Sequence, residues 1–283
     1  MVAILRYQRD HILEAVRAMY TDVAAHPGKL FHFPTGRSAC LFVGYPESLL
    51  NRIPPVAVEC FAGVGYPFLA GTIEPGDIVL DVGSGSGTDA LIASHFVGPQ
   101  GKVYALDMTD AMLDRLRDNA RRMGADNVLG LSGNAEEIPL PDASVTYVTS
   151  NGVLNLVPDK RKAFSELFRV LAPGGRLQIA DIAVGLPASR ECRENPRLWA
   201  ECIVGALAED DYLDTLRAVG FVGVEVLARL DYFSRSSNAE TRHVAEGLNA
   251  HSIVLRARKP DNRADGIGGR ILAFLRLAWR DFP

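Results

Sequence analysis

The chain has 283 residues, 48% of them hydrophobic and 23% charged, the balance of a folded enzyme rather than a disordered tail or a fibre. Its 30 Lys and Arg stand against 34 Asp and Glu, and the net charge of −4 argues against a dedicated nucleic-acid binder. No apolar run approaches the roughly 20 residues of a bilayer span, and the apolar stretch at the start is too short for a signal peptide. A cytoplasmic protein without stable membrane insertion is expected.

Residues 10–24 carry Ile12, Val16, Met19, Tyr20 and Val23 as one stripe of a helix. Residues 26–56 are rich in Pro, Gly and aromatics and predict an irregular cap or lid. From about residue 76 the pattern becomes regular. Ile78–Val82, Lys102–Leu106, Asn127–Leu131 and Val145–Thr149 are short buried-strand patterns, with helical stretches near 87–97 and 110–123. A helix over 159–171 stops at Pro173-Gly174-Gly175, and a strand over 176–182 follows. Gly220 closes a further helix, and Val222–Leu227 and Ser252–Arg258 predict two more strands. Alternating strands and helices mean an α/β fold, a mostly parallel sheet with helices on both faces. The expected division is an N-terminal helix and lid over 1–70, a main domain over 71–260, and a tail over 261–283. A substrate-covering insertion is expected at about 183–208, where such a sheet tolerates long loops. In the tail, Ile271, Leu272, Leu275, Ala278 and Trp279 lie on one helical face, which would pack on the domain itself or on a second copy in a homodimer.

The strongest signal is the run from Ile78 to Gly87: a hydrophobic strand ending in Asp81, then Gly83, Ser84, Gly85 and Gly87. Such glycines let the backbone turn sharply and approach a ligand at the carboxyl edge of the sheet. Asp107 closes the next strand, placed to accept both hydroxyls of an adenosine ribose. A dinucleotide fingerprint wants G-x-G-x-x-G, with its third small residue where Thr88 stands. The G-x-G-x-G behind an acidic residue instead resembles motif I of the class I S-adenosylmethionine (SAM) methyltransferases. Asp107-Met108, Gly133-Asn134-Ala135-Glu136 and Leu171-Ala-Pro-Gly-Gly add to that resemblance. It implies a Rossmann-like seven-stranded sheet and SAM as cofactor. Asp81 and the glycine turn would hold the amino-acid end, Asp107 and Met108 the ribose and adenine, and Asn134, Ala135 and Glu136 the adenine edge, with Asn151 beside them. Asn134 stands where Asp is commoner, but its amide oxygen still accepts a hydrogen bond.

Ser150-Asn-Gly-Val-Leu-Asn-Leu-Val-Pro-Asp-Lys160 and Asn195-Pro-Arg-Leu-Trp-Ala-Glu-Cys-Ile-Val-Gly-Ala-Leu207 resemble the arsenite methyltransferases. Ala15–Ala24 is similar to that family's helix before the cofactor domain, whose tyrosine, here Tyr20, reaches over the cofactor. Phe61–Pro67 is similar to its glycine loop. The resemblance covers roughly residues 12–258. The departures bear on the chemistry, because trivalent arsenic is a soft centre best held by thiolates and the family supplies three. Cys202 matches one; Gly152 and Val64 stand at the other two. Cys40 or Cys60 would have to substitute. Arg before Asp89 in the family is Thr88 here. The loss of a thiol at Gly152 suggests extra room at the mouth of the fourth strand, and hence a different small-molecule methyl acceptor.

Methyl transfer is an in-line displacement that needs alignment and exclusion of water rather than a fixed triad. Cys202 is a candidate substrate ligand, Tyr20 a group closing over the cofactor, and His32 a base in the lid for a hydroxyl acceptor. Trp199 and Glu201 would line the acceptor pocket with Val64, Gly152 and Cys202. Cys192, in a charged stretch, is a bystander, and no C-x-x-C pair or other standard metal site is present. The expectation is a SAM-dependent methyltransferase of a small molecule, like the arsenite enzymes but with an incomplete set of cysteines. Its rivals are arsenite methylation by Cys202 with Cys40 or Cys60, carbon or oxygen methylation of a quinone or polyketide, and a non-catalytic SAM sensor or assembly factor.

Overall fold

The computed structural model describes residues 6–71, 73–186, 199 and 202–261. Expectations for Glu201, Cys192, the body of the insertion and the stripe in the tail fall outside the described residues.

Strand β1 (Ile78–Val82) sits at the centre of the sheet. It pairs in parallel with β2 (Lys102–Asp107) on one side and β4 (Val145–Asn151) on the other. Beyond β2 lies β3 (Val128–Ser132), and beyond β4 lies β5 (Leu171–Ala183). Strand β7 (His251–Arg258) then inserts antiparallel between β5 and β6 (Val222–Leu230). The order is β3-β2-β1-β4-β5-β7-β6, seven strands, mostly parallel as expected.

Side chains alternate across a strand, and each face of the sheet has its own core. Val79, Val103, Ala105 and Tyr147 join the core that holds α4 (Thr88–Val97) and α5 (Asp110–Met123). Their neighbours Leu80, Leu106 and Val148 join the opposite core, with α6 (Lys160–Val170) and the helix Glu209–Val219. Helix α5 stops at Gly124 and the helix Glu209–Val219 at Gly220, both glycines left-handed. At the start of α6, the Asp159 carboxylate accepts from the Lys162 N–H at 3.0 Å, a side-chain N-cap.

The described residues of the first seventy build into the first core rather than standing apart from it. Helix α1 (Arg6–Ala25) packs on α5, where the Arg115 guanidinium donates to the Ala24 carbonyl at 2.7 Å. The stretch expected to be irregular contains α2 (Gly36–Phe42) and α3 (Glu47–Leu50), and buries Phe31, Phe33, Cys40, Tyr45 and Ile53. Pro173-Gly174-Gly175 does not precede a strand but lies inside β5, whose pairing with β4 shifts register there. A bulge absorbs the proline and the left-handed Gly174 without ending the strand. With the helix Glu209–Val219 numbered α7, a helix that the periodicity does not announce, α8 (Ala239–Gly247), follows β6; its N-cap is Asn238, which accepts from the Glu240 and Thr241 N–H groups.

Candidate active site

A cavity opens at the carboxyl ends of β1, β2 and β4. It is walled by Asp81, the glycine turn, Asp107, Met108 and the 133–136 loop, and roofed by Leu13, Val16 and Tyr20 of α1. Every residue predicted to hold cofactor lines it except Gly87, which packs against Leu116 behind the turn.

The turn after β1 is built for close approach. Gly83 has φ +72°, and a Cβ there would lie 2.2 Å from Val153 Cγ2. The Gly85 N–H donates to Asp107 Oδ2 at 2.9 Å, and the Thr109 N–H to Asp107 Oδ1 at 2.8 Å. Asp107 therefore sets the two turns while lining the cavity. Asp81 is buried, and its Oδ2 has no partner among the described residues. Burial first, then the nearby Asp89 and Asp107 carboxylates, push its pKa well above the usual aspartate range. A buried carboxylate oxygen without a donor is costly unless a ligand supplies one. The Ser84 hydroxyl is likewise buried and unpartnered.

Three predicted cofactor contacts have their side-chain polar atoms already engaged. Asn134 Oδ1 accepts from the Glu136 N–H at 2.9 Å, which shapes the 133–136 loop. Glu136, 1% exposed, accepts from Arg9 Nε at 2.8 Å and from Arg9 Nη2, while its other oxygen takes the Asp159 N–H at 2.9 Å. It is a clasp between α1 and the start of α6. Asn151 Oδ1 accepts from the Val64 and Gly65 N–H groups at 2.8 and 3.2 Å. Its Nδ2 donates to the Gly65 carbonyl, the Tyr45 hydroxyl and Asp89 Oδ2. The Tyr45 hydroxyl in turn donates to Asp89 Oδ1. Burial raises Asp89 to about 6, against the pull of the Tyr45 and Asn151 hydrogen bonds. Asn151 thus pins the glycine loop to the cofactor strand.

On the acceptor side the expectation of open space at Gly152 is corrected. Gly152 is buried at φ +72°, and a Cβ there would meet Val64 Cγ1 at 3.2 Å. The two positions at which the resemblance expects thiols, Val64 and Gly152, are adjacent, and the valine side chain occupies the space next to the glycine. The Cys202 thiol is hydrogen-bonded to the Tyr20 hydroxyl, which also faces Tyr232. Burial and these neighbours hold the Tyr20 hydroxyl protonated far above its ordinary range. Cys60 lines the cavity but points its thiol at the Val23 carbonyl, 3.6 Å away. Cys40 is fully buried, and burial pushes its thiol pKa up. Among the described residues no three His, Cys, Asp or Glu side chains are arranged to hold a metal ion.

His32 does not line the cavity. Its ring packs edge-on against Phe33 at 4.6 Å, its Nε2 is buried without a partner among the described residues, and burial lowers its pKa to about 4. Trp199 is 4% exposed; its indole N–H donates to the Leu156 carbonyl at 2.8 Å and its ring carries the Lys160 ammonium at 5.1 Å. Burial lowers that ammonium to about 8. Periodicity did not single out Arg9, Tyr45, Asn155 or Tyr232; Arg9 meets Glu136 127 residues away, Tyr45 meets Asp89 44 away, and Asn155 meets Cys202 47 away.

A doubly wound sheet with a carboxylate-tipped glycine turn and a second carboxylate one strand over defines a class I methyltransferase architecture. A methyltransferase domain model matches residues 73–220, and the chain belongs to that family, with SAM as its cofactor. Over 199 residues it is 36% identical to an arsenite methyltransferase of Halobacterium salinarum, covering 70% of this chain and 50% of that one. A ubiquinone/menaquinone biosynthesis C-methyltransferase of Vibrio campbellii is 42% identical over 111 residues, 39% of this chain and 43% of that protein. The crystal structure of an arsenic(III) S-adenosylmethionine methyltransferase from Chlamydomonas reinhardtii superposes with a TM-score of 0.61 at 30% identity, covering 81% of this chain and 75% of that one. The chain spans about half the length of the curated arsenite methyltransferases it matches. No helix among the described residues is long and apolar enough to cross a membrane.

Proposed function

We propose that the protein transfers a methyl group from SAM to a small-molecule acceptor, on an arsenite-methyltransferase scaffold that keeps one of the three thiols. The observation that carries this reading is the buried, unpartnered Asp81 Oδ2 beside a glycine turn that a Cβ would obstruct. A cationic ammonium is the donor such an oxygen calls for. SAM supplies an electrophilic methyl on a positively charged sulfur.

The chain's own residues bind, align and exclude water. Asp81 would hold the amino-acid end, Asp107 the ribose, and the 133–136 loop the adenine edge through its backbone. Leu13, Val16 and Tyr20 would keep solvent from the sulfur, so that bound reactants stay aligned. The Tyr20 hydroxyl and Cys202 thiol would border the acceptor. His32 is outside the cavity, so a base in the lid is no part of this mechanism. Residues 1–70 would serve as roof and lid, residues 71–260 as the catalytic domain. The net charge of −4 keeps nucleic acid out of the expected partners.

Titration calorimetry tests the cofactor. S-adenosylhomocysteine should bind and NADH should not; heat with NADH alone would overturn the reading. A second reading, arsenite methylation, is favoured by the 36% identity to arsenite enzymes and by Cys60 in the cavity wall. Arsenite-dependent turnover of the purified protein, abolished by Cys202→Ser, would establish it.

A further inference from the structure

Cys202 is buried and left-handed, with φ +72°. Side-chain-bearing residues adopt that conformation only where their surroundings enforce it. Here the Cys202 N–H donates to the Trp199 carbonyl at 3.1 Å. The Trp199 indole N–H in turn donates to the Leu156 carbonyl at 2.8 Å. Asn155 Nδ2 then donates to the Cys202 carbonyl at 2.8 Å. Asn155 is fully buried in the short 3-10 turn Leu154–Leu156, and Gly205 presses so close that a Cβ there would lie 2.6 Å from the Asn155 carbonyl.

The product of this clamp is the position of one thiol. It meets the Tyr20 hydroxyl, which lines the cofactor cavity. Tyr232, near enough to Cys202 to be influenced by it, is 1% exposed, and its hydroxyl has no hydrogen-bond partner among the described residues.

We infer that Asn155 is a positioning residue: its amide holds Cys202 in the left-handed form, so that the thiol stands against Tyr20 between the cofactor cavity and the acceptor. This rests on the proposed methyl transfer and extends it, because it names what fixes the surviving thiol in place. Asn155 itself touches neither cofactor nor acceptor.

The S–H stretch in the infrared spectrum reads this directly. The Cys202 band is identified in the full chain by its loss in Cys202→Ser. It should shift in Tyr20→Phe, which removes the hydroxyl, and shift likewise in Asn155→Leu, which removes the donor at nearly constant size. Affinity of Asn155→Leu for S-adenosylhomocysteine should stay within about twofold of the native protein. If Asn155→Leu does not fold, Asn155→Ser, with a shorter donor, is read the same way. A band that moves in Tyr20→Phe but stays at the native frequency in the folded Asn155 variant overturns the inference. If S-adenosylhomocysteine fails to bind even the native protein, the cofactor reading falls, while the band comparison still judges the clamp.

Discussion

Val64 and Gly152 share one small volume: a Cβ on the glycine would sit 3.2 Å from Val64 Cγ1 and 3.7 Å from the Val64 nitrogen. The two positions at which the resemblance expects thiols are therefore coupled in packing. Gly152→Cys alone should destabilise the fold, by about 1–3 kcal/mol from the left-handed backbone and more from contact with the valine. Val64→Cys removes a γ-branch and should recover part of that loss, seen as a coupling in a double-mutant cycle. With Cys202, the double variant should bind phenylarsine oxide more tightly than the native chain. Equal binding by both would show that the native thiols already suffice.

Asp81 couples stability to function. Because folding raises its pKa, its stabilising contribution is complete below the ordinary aspartate range and is lost as pH rises through the raised value. Asp81→Asn should therefore have a higher Tm than the native protein at pH 8. Its affinity for S-adenosylhomocysteine should fall at least tenfold, about 1.4 kcal/mol. Unchanged affinity would remove Asp81 from the cofactor site.

The Arg9–Glu136 clasp holds α1 down over the cavity. Arg9→Met keeps the aliphatic stem and leaves the buried Glu136 carboxylate with only the Asp159 N–H. Stopped-flow release of S-adenosylhomocysteine should quicken several-fold. Release at the native rate would mean that α1 does not gate the ligand.

His32 has its folded-state pKa lowered to about 4 by burial. A lowered value means stability that is present above the unfolded pKa, about 6.5, and lost as pH falls through 4. His32→Phe should flatten the decline of Tm between pH 6.5 and pH 4 and leave methyl transfer intact. Loss of activity at neutral pH would restore the histidine to the mechanism.

What the sequence disclosed followed the range of each contact. The strand, acidic tip and glycines from Ile78 to Gly87 are local chemistry, and they located the cavity. The helix stripe of Val16 and Tyr20 likewise faces it. Pro173-Gly174-Gly175 misled because a bulge inside a strand and a stop before one use the same residues. Asn151 and Glu136 stood at the right loops, but their side chains answer to Val64, Gly65, Asp89 and Arg9, partners that no local pattern announces. Tyr45 and Tyr232 belong to no motif and gain meaning only from what folds against them.

Leu13, Val16 and Tyr20 lie along one face of a single rod, and the last of them also touches Cys202. The helix that covers the cavity therefore also reaches Cys202, so a tilt of α1 would be felt at both places.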